Sequence, residues 1–466
     1  MQHFPDAKAV VRALSPDEPI ILNRPHAAAR AARFFVEKFP GKSLYAVKAN
    51  PSPDLVQILW DNGVTHYDVA SIAEVRMVRS VLPDATLCFM HPVKSPGAIR
   101  EAYFQHGVKT FSLDSPEELA KIVNATRAED GTEAADLRLC VRLRVSSEHA
   151  ALSLASKFGC DLTEAPALLQ ETRQYADWLG VCFHVGSQAM SPHAYVQALD
   201  RTRAAIAEAS VVIDMIDVGG GFPSVYPGME PPPLEDYFKI IHQHFYALPI
   251  AYNAELWCEP GRALCAEYSS LVVKVEKRRG EELYINDGAY GALFDAAHVD
   301  WKFPVRPLED DLIKPEMDFA FYGPTCDDAD YMPGPFGLPE DIQAGDYIEI
   351  GMLGAYGALF DAAHVDWKFP VRALEDDLIK PDMDFAFYGP TCDDADYMQG
   401  PFVLPEDIQA GDYIEIGMLG AYGAAMKTDF NGFGAADRVL VTDEPMASLY
   451  DGSRQRPAAD NVVSLR

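Results

Sequence analysis

Between about residues 24 and 262 the chain alternates two hydrophobic periods. Short apolar runs, the signature of buried strands, lie at 44–48, 66–71, 87–92, 110–115, 139–145, 181–187, 215–222 and 256–262. Between them come segments with helical spacing, such as 54–62, 72–80, 116–124 and 192–210. Eight strand–helix units in about 240 residues predict an α/β fold, a (β/α)8 TIM barrel over 24–262. Beyond 262 the pattern changes to β-rich runs with Gly and Pro turns, including 269–277, 282–286 and 345–350. These predict a second, mostly antiparallel β-barrel domain formed by 263–450 with 1–23. Residues 451–466 are polar and aperiodic, and are expected to be a disordered tail.

A repeat interrupts the second domain. Residues 288–353 recur as 354–419, and the 66-residue copies differ only at Pro307/Ala373, Glu316/Asp382, Pro333/Gln399 and Gly337/Val403. The word Gly-Ala-Tyr-Gly-Ala opens at 288, 354 and 420, as expected of unequal recombination in a 400-residue ancestor, 466 less one repeat of 66. Two copies are too few for a solenoid.

Composition narrows the partners. The chain is 48% hydrophobic and 23% charged, as in ordinary globular proteins. Its net charge of -31 argues against nucleic acid and anionic membranes. Each repeat carries 14 acidic and 3 basic residues, so the pair supplies -22 of that charge, which is therefore no partner signal. The eight cysteines show no metal-like spacing, and neither a signal peptide nor a membrane span is evident. A cytoplasmic protein with reduced thiols and no bound metal is expected.

The chemistry gathers at the C-terminal strand ends, where barrels carry their sites. Lys48 is either a solvated strand-end lysine or a partly desolvated amine able to form an imine. Asp68 either favours the charged form of that amine or caps the next helix. Arg142, His184 and Ser187 end the fifth and sixth strands; His184 suits stacking on a flat ring or a place in the core. Gly219-Gly220-Gly221 is a flexible turn or a phosphate cradle, and Glu259 and Arg262 on the following strand end favour the cradle. An imine-forming lysine, a phosphate site and a carboxylate to protonate a ring nitrogen together suit pyridoxal phosphate.

These residues carry a resemblance. Tyr45-Ala46-Val47-Lys48, Tyr67-Asp68-Val69-Ala70-Ser71, Lys157-Phe158-Gly159, Phe183-His184-Val185-Gly186-Ser187, Asp217-Val218-Gly219-Gly220-Gly221-Phe222-Pro223 and Glu259-Pro260-Gly261-Arg262 stand in order. Asn286-Asp287-Gly288, Gly-Pro-Thr-Cys-Asp at 323–327 and 389–393, and Phe430-Asn431-Gly432-Phe433 follow. The chain resembles the eukaryotic-type ornithine decarboxylases, among the pyridoxal-phosphate decarboxylases that share the alanine-racemase barrel. The resemblance implies that Lys48 carries the cofactor, with His184 on its ring, Glu259 on its nitrogen, and Gly219 to Gly221, Arg262 and Tyr422 on its phosphate. It further implies a homodimer in which Cys326 or Cys392 enters the partner's site as proton donor. Asp327 or Asp393, assisted by Asp300 or Asp366, would then hold the distal amine of a small cationic amino acid.

Three alternatives stay open: lysine decarboxylase, diaminopimelate decarboxylase, and a non-catalytic homologue of antizyme-inhibitor type. Against the last stand Lys48, Glu259, Arg262 and both cysteines; against diaminopimelate stand the acidic pairs Asp327-Asp328 and Asp393-Asp394. Ornithine and lysine differ by one methylene, worth only about 1–3 kcal/mol in a pocket. Tyr422 and the Phe-Asn-Gly-Phe word follow the second copy alone. The expectation is therefore that copy 2 supplies the site, while a similar length, mainly of copy 1, is extruded with Phe319-Ala320-Phe321-Tyr322 exposed.

Overall fold

The computed structural model describes residues 3–146, 148–152, 157–299, 301–355, 371–373, 380–388, 397–408 and 414–416. They fall into two compact units: one holds the described residues up to 355, the other those from 371 to 416.

In the first unit, Ile20–Asn23 (β1) precedes a closed parallel barrel. The barrel strands are Lys42–Ala46 (β2), His66–Val69 (β3), Thr86–Phe89 (β4), Thr110–Leu113 (β5) and Arg138–Leu143 (β6), then Trp178–Phe183 (β8), Met215–Asp217 (β10) and Glu255–Cys258 (β11). Ala150–Leu152 (β7) and Ser187–Ala189 (β9) pair beside it as an antiparallel ribbon. Outward residues such as Tyr45, Tyr67, Phe111 and Val181 pack against the helices in one continuous apolar cluster. Inward residues Leu44, Cys88, Met90, Cys140, Cys182, Met215 and Trp257 fill the lower bore. The bore is thus closed below and open to chemistry only at the strand ends.

The strands are shorter at their C-terminal ends than the apolar runs suggest. Lys48 lies in a 3-10 turn over Val47–Ala49, not in a strand, because Asn50 N–H bonds back to the Val47 carbonyl at 3.0 Å. Ser71 caps a helix: its hydroxyl accepts from Glu74 N–H at 3.2 Å, while the Glu74 carboxylate accepts from Ala70 N–H at 2.7 Å. Glu74 thus reaches past the cap residue to its neighbour, and the Ser71 cap competes with the strand for those residues. Ser52, Ser95 and Ser115 cap the neighbouring barrel helices in the same way. Arg262, expected to end a strand, opens the short helix Arg262–Cys265.

The first unit also contains a seven-stranded sheet. Its members are β1, Ser269–Arg279 (β12), Glu282–Ile285 (β13), Val305–Pro307 (β14), Glu316–Tyr322 (β15), Tyr331–Pro339 (β16) and Tyr347–Ile350 (β17). All pairings in it are antiparallel except β13 with β15. Strands β14 to β17 all belong to copy 1, so the expectation that copy 1 is extruded is overturned. Phe319 and Phe321, expected to be exposed, are 1% and 0% exposed in the core of this sheet.

The second unit is built from copy 2. Val371–Ala373 (β18) pairs with Ile414–Ile416 (β21), and Asp382–Tyr388 (β19) pairs with Tyr397–Pro405 (β20). These are the same pairs, in the same register, that β14 makes with β17 and β15 with β16. No helix among the described residues is long and apolar enough to cross a membrane.

Candidate active site

Inward residues at the upper strand ends converge on one mouth. Lys48 Nζ stands 3.8 Å from Asp68 Oδ2, with the lysine side chain 17% exposed and the aspartate 3%. Burial raises the Asp68 pKa, against the pull of Lys48 and then Arg142. Burial also lowers the His184 pKa well below the usual range, and the charges of Lys48 and Arg142 add to this. Its Nδ1 accepts from Gly186 N–H at 3.1 Å, so the ring is neutral and fixed. Glu259 is pushed well above the usual carboxylate range by burial and then by Asp217 and Asp68, with Lys48 and Arg142 opposing.

The glycine loop after β10 is dictated by close approach. A Cβ on Gly219 would lie 2.0 Å from the Phe183 carbonyl, one on Gly220 2.7 Å from the Glu259 carbonyl, and one on Gly221 2.4 Å from the Gly186 carbonyl. Gly219 and Gly221 also have φ of +69° and +97°, which side chains rarely adopt. The loop's own carbonyls, those of Gly219, Gly220 and Gly221, accept from Glu259 N–H, the Tyr195 hydroxyl and Ala189 N–H at 2.8, 2.9 and 2.8 Å. In a planar trans peptide the following N–H points the opposite way, so this loop turns amides away from those bonds. Such a concavity of amides suits an anion.

Arg262 is buried beside this loop. Its Nη1 donates to the Tyr226 hydroxyl and to Asp295 Oδ2, both at 2.9 Å, and its guanidinium lies 5.3 Å from the Trp301 ring centre. Asp295 and Trp301 come from copy 1, which therefore reaches the barrel rim. Copy 1 also ends there: Leu353 N–H bonds to the Ser269 carbonyl and Gly354 N–H to the Ala266 carbonyl, both at 3.0 Å. The Asn50 amide, two residues beyond Lys48, donates to the Gly354 carbonyl at 2.8 Å. Ala355 is fully buried in the barrel's outer core.

Of the residues singled out in the sequence, Lys48, Asp68, Arg142, His184 and Glu259 act on one another electrostatically, with Gly219 to Gly221 packed against His184 and Glu259. Ser187 sits in the side ribbon on β9. Cys326 is exposed on the loop joining β15 to β16, and Asp327 beside it accepts from the Tyr290 hydroxyl at 2.6 Å. That loop is knotted by buried Asp330, which accepts from Ala289 N–H, Thr325 N–H and the Thr325 hydroxyl at 2.7, 3.0 and 2.8 Å. Cys392, Asp393, Asp300, Asp366 and Tyr422 lie outside the described residues.

Two groups escaped the sequence reading. Asp295, not Asp300, is the described acid of this stretch at the rim; its place one residue into a short helix was the available signal. Lys94 is fully buried, bonded to Glu118 at 2.9 Å and to the Ser112 and His91 carbonyls at 2.6 and 2.8 Å. It sits in a polar turn, where nothing in the pattern marks it as buried.

Comparison with known proteins follows this geometry. Residues 26–266 match the pyridoxal-binding domain of the pyridoxal-dependent decarboxylases. A lysine/ornithine decarboxylase from Selenomonas ruminantium is 31% identical over 322 residues, covering 67% of this chain and 78% of that protein. Ornithine decarboxylase from Cricetulus griseus is 30% identical over 349 residues, covering 69% and 72%. The solved structure of an SrLDC mutant in complex with PLP superimposes with a TM-score of 0.66 at 27% identity, covering 77% of this chain and 92% of that one.

Proposed function

The chain belongs to the pyridoxal-dependent decarboxylases, a carboxy-lyase for a basic amino acid with pyridoxal phosphate as cofactor, and from that premise we propose that its substrate is L-ornithine and its product putrescine. The observation that carries the reading is the mouth itself: an amine, Lys48, held against a buried carboxylate and facing a neutral histidine and a second carboxyl. The residues fit the cofactor: an amine, a neutral imidazole and a carboxyl share the mouth with a loop whose close approach to the Phe183, Glu259 and Gly186 carbonyls leaves no room for a Cβ at Gly219, Gly220 or Gly221.

When bound, the cofactor supplies an electron sink for the pair released with carbon dioxide. Lys48 is the residue that would bond its aldehyde, and Asp68 keeps that amine in place. His184, uncharged, would stack on the ring, with Arg142 and Ser187 bordering the cofactor. Glu259 would face the ring nitrogen and favour its protonated form. The Gly219–Gly221 loop would hold the phosphate, through the amides of Gly220 and Gly221 while Gly219 N–H is bonded to Asp217, with Arg262 behind it. Tyr422, the further phosphate ligand implied by the resemblance, lies outside the described residues.

Carbanion protonation falls to Cys326, exposed on its own subunit and so available to a partner in a homodimer. Asp327 and Asp295 are the carboxylates offered to a cationic tail; charge-assisted bonds of this kind select a diamino acid. Lysine is the second reading, favoured by the Selenomonas relative that carries both names. A cytoplasmic enzyme of polyamine biosynthesis follows from the product.

The test is carbon dioxide release from L-ornithine, L-lysine, L-arginine and diaminopimelate, with the borohydride-sensitive visible absorption of the purified protein. Ornithine is expected to give the highest kcat/KM, and Lys48→Ala to abolish both turnover and absorption. Normal turnover in Lys48→Ala overturns the reading, and preference for diaminopimelate overturns the substrate class.

A further inference from the structure

Asp217 is the last residue of β10, in register with Trp257 of β11 and Cys182 of β8, and its side chain is wholly buried. Its Oδ1 accepts from Gly219 N–H at 2.8 Å. The carbonyl of the same glycine accepts from Glu259 N–H at 2.8 Å, so one residue ties both acids to the anion loop. Asp217 Oδ2 is buried with no donor among the described residues. Glu259, two residues beyond Trp257 along the neighbouring strand's direction and so on the same side as Trp257, brings its carboxyl within the influence of Asp217. Two ionised carboxylates are acceptors only and repel; they bond when one keeps its proton.

The groups facing the pair point the same way. Lys48 and Arg142 are the cations and Asp68 is a third carboxyl, while His184 is neutral. Of the thiols packed beneath, Cys88 and Cys140 are pushed up by burial and carry no charge at neutral pH. Three carboxyls against two cations leave one negative charge uncompensated where two of the acids, Asp68 and Asp217, are buried, a costly arrangement. One retained proton removes it. Burial, with Cys182 adding, raises Asp217 to about 8, while Gly219 N–H and Glu259 pull the other way.

We propose that Asp217 is a positioning residue: it shares a single proton with Glu259 through a carboxyl–carboxylate hydrogen bond, which fixes the Glu259 carboxyl and keeps a proton at the place where a ring nitrogen binds. The inference rests on the cofactor orientation given under Proposed function. A protonated Glu259–Asp217 pair presents one charge, not two, and the proton a basic nitrogen requires is already in the site.

Infrared spectroscopy of the cofactor-free protein tests it directly. The wild-type protein is expected to show a protonated-carboxyl C=O band at neutral pH that shifts in D2O and fades as pH rises through about 8. Asp217→Asn keeps the shape and is expected to lose that band. Glu259→Gln should lose it too, since its amide donates to Asp217 and lets that acid ionise. No such band in the wild type, which requires no variant to fold, overturns the proposal; so does a band unchanged in both variants. None of these spectra depends on turnover. If the pair behaves as expected while Lys48→Ala keeps normal activity, the functional reading fails and the carboxyl pair stands; the reverse pattern is equally legible.

Discussion

Two regions of this molecule have nearly one sequence and two environments. In copy 1, β15 and β16 form a hairpin in which Phe321 stacks on Phe336 with ring centres 4.0 Å apart. In copy 2, β19 and β20 repeat it residue for residue, with Phe387 on Phe402 at 4.2 Å. Even the anchors recur: Glu340 N–H bonds to the Pro315 carbonyl, and Glu406 N–H to that of Pro381. The difference lies beyond the hairpin. β15 also pairs with β13, and β17 with β12, whereas β18 to β21 pair only with each other among the described residues. Phe319 and Phe321 are buried, while their counterparts Phe385 and Phe387 are half-buried.

The comparison teaches that the repeat fixes the hairpin and the chain's connectivity fixes its place. The four differences do not decide it: Glu316 and Pro333 are exposed, Pro307 and Gly337 half-buried, and a Cβ at Gly337 meets only the Glu316 carboxylate at 3.4 Å. There is one β13 edge, and β15 reaches it across about 30 residues, where β19 would need about 96. Loop-closure entropy favours the shorter connection by about 1 kcal/mol, a factor of about five. That is enough to choose, and small enough that the choice can be altered.

Catalysis gives the widest separation between copies. Cys326→Ala is expected to lower turnover by about 10²-fold or more, the scale of a lost proton donor, while Cys392→Ala stays near wild type. Equal activity in both single variants with loss only in the double variant would mean that the copies substitute for each other. Stability separates them next. Phe321→Ala should cost about 3–5 kcal/mol in denaturant unfolding, as for a large side chain removed from a core. Phe387→Ala forfeits chiefly its ring contact, about 1 kcal/mol.

Gly354→Ala puts a Cβ 1.7 Å from the Cys265 carbonyl and should cost about 1–3 kcal/mol. The smallest effect is in pH dependence. Glu349 accepts from Ser270 at 2.7 Å and from Arg306 at 2.6 Å, and pairs with Arg24. Burial alone would raise its pKa, but Ser270, Arg306 and Arg24 together hold it below 4.5. A depressed carboxyl adds stability above its unfolded pKa and loses it as pH falls through the folded value. Glu349→Gln should therefore flatten the acid limb of a Tm–pH curve.

Much of this was legible in the chain. The eight-strand rhythm and the polar strand ends at Lys48, Asp68, His184 and Glu259 follow from period and position alone. The strand limits did not, because Ser71 and Ser115 serve their helices while the apolar run continues through them. Asp295 was hidden by its neighbour Asp300, since neither burial nor an ion pair 33 residues away leaves a local pattern. The sheet takes copy 1 where copy 2 was expected, because the words after copy 2 say nothing of the length of the path from β13. Only the latter is a free energy.

The central claim is that copy 1 occupies the sheet beside the barrel, and hydrogen exchange reads it most directly. Peptides over β15 and β19 differ in mass through Glu316 and Asp382, so each copy can be followed in one sample of the full chain. Slow exchange in β15, at the level of β12, with fast exchange in β19 is the predicted result. Fast exchange in β15 with protection moved to β19 would contradict it.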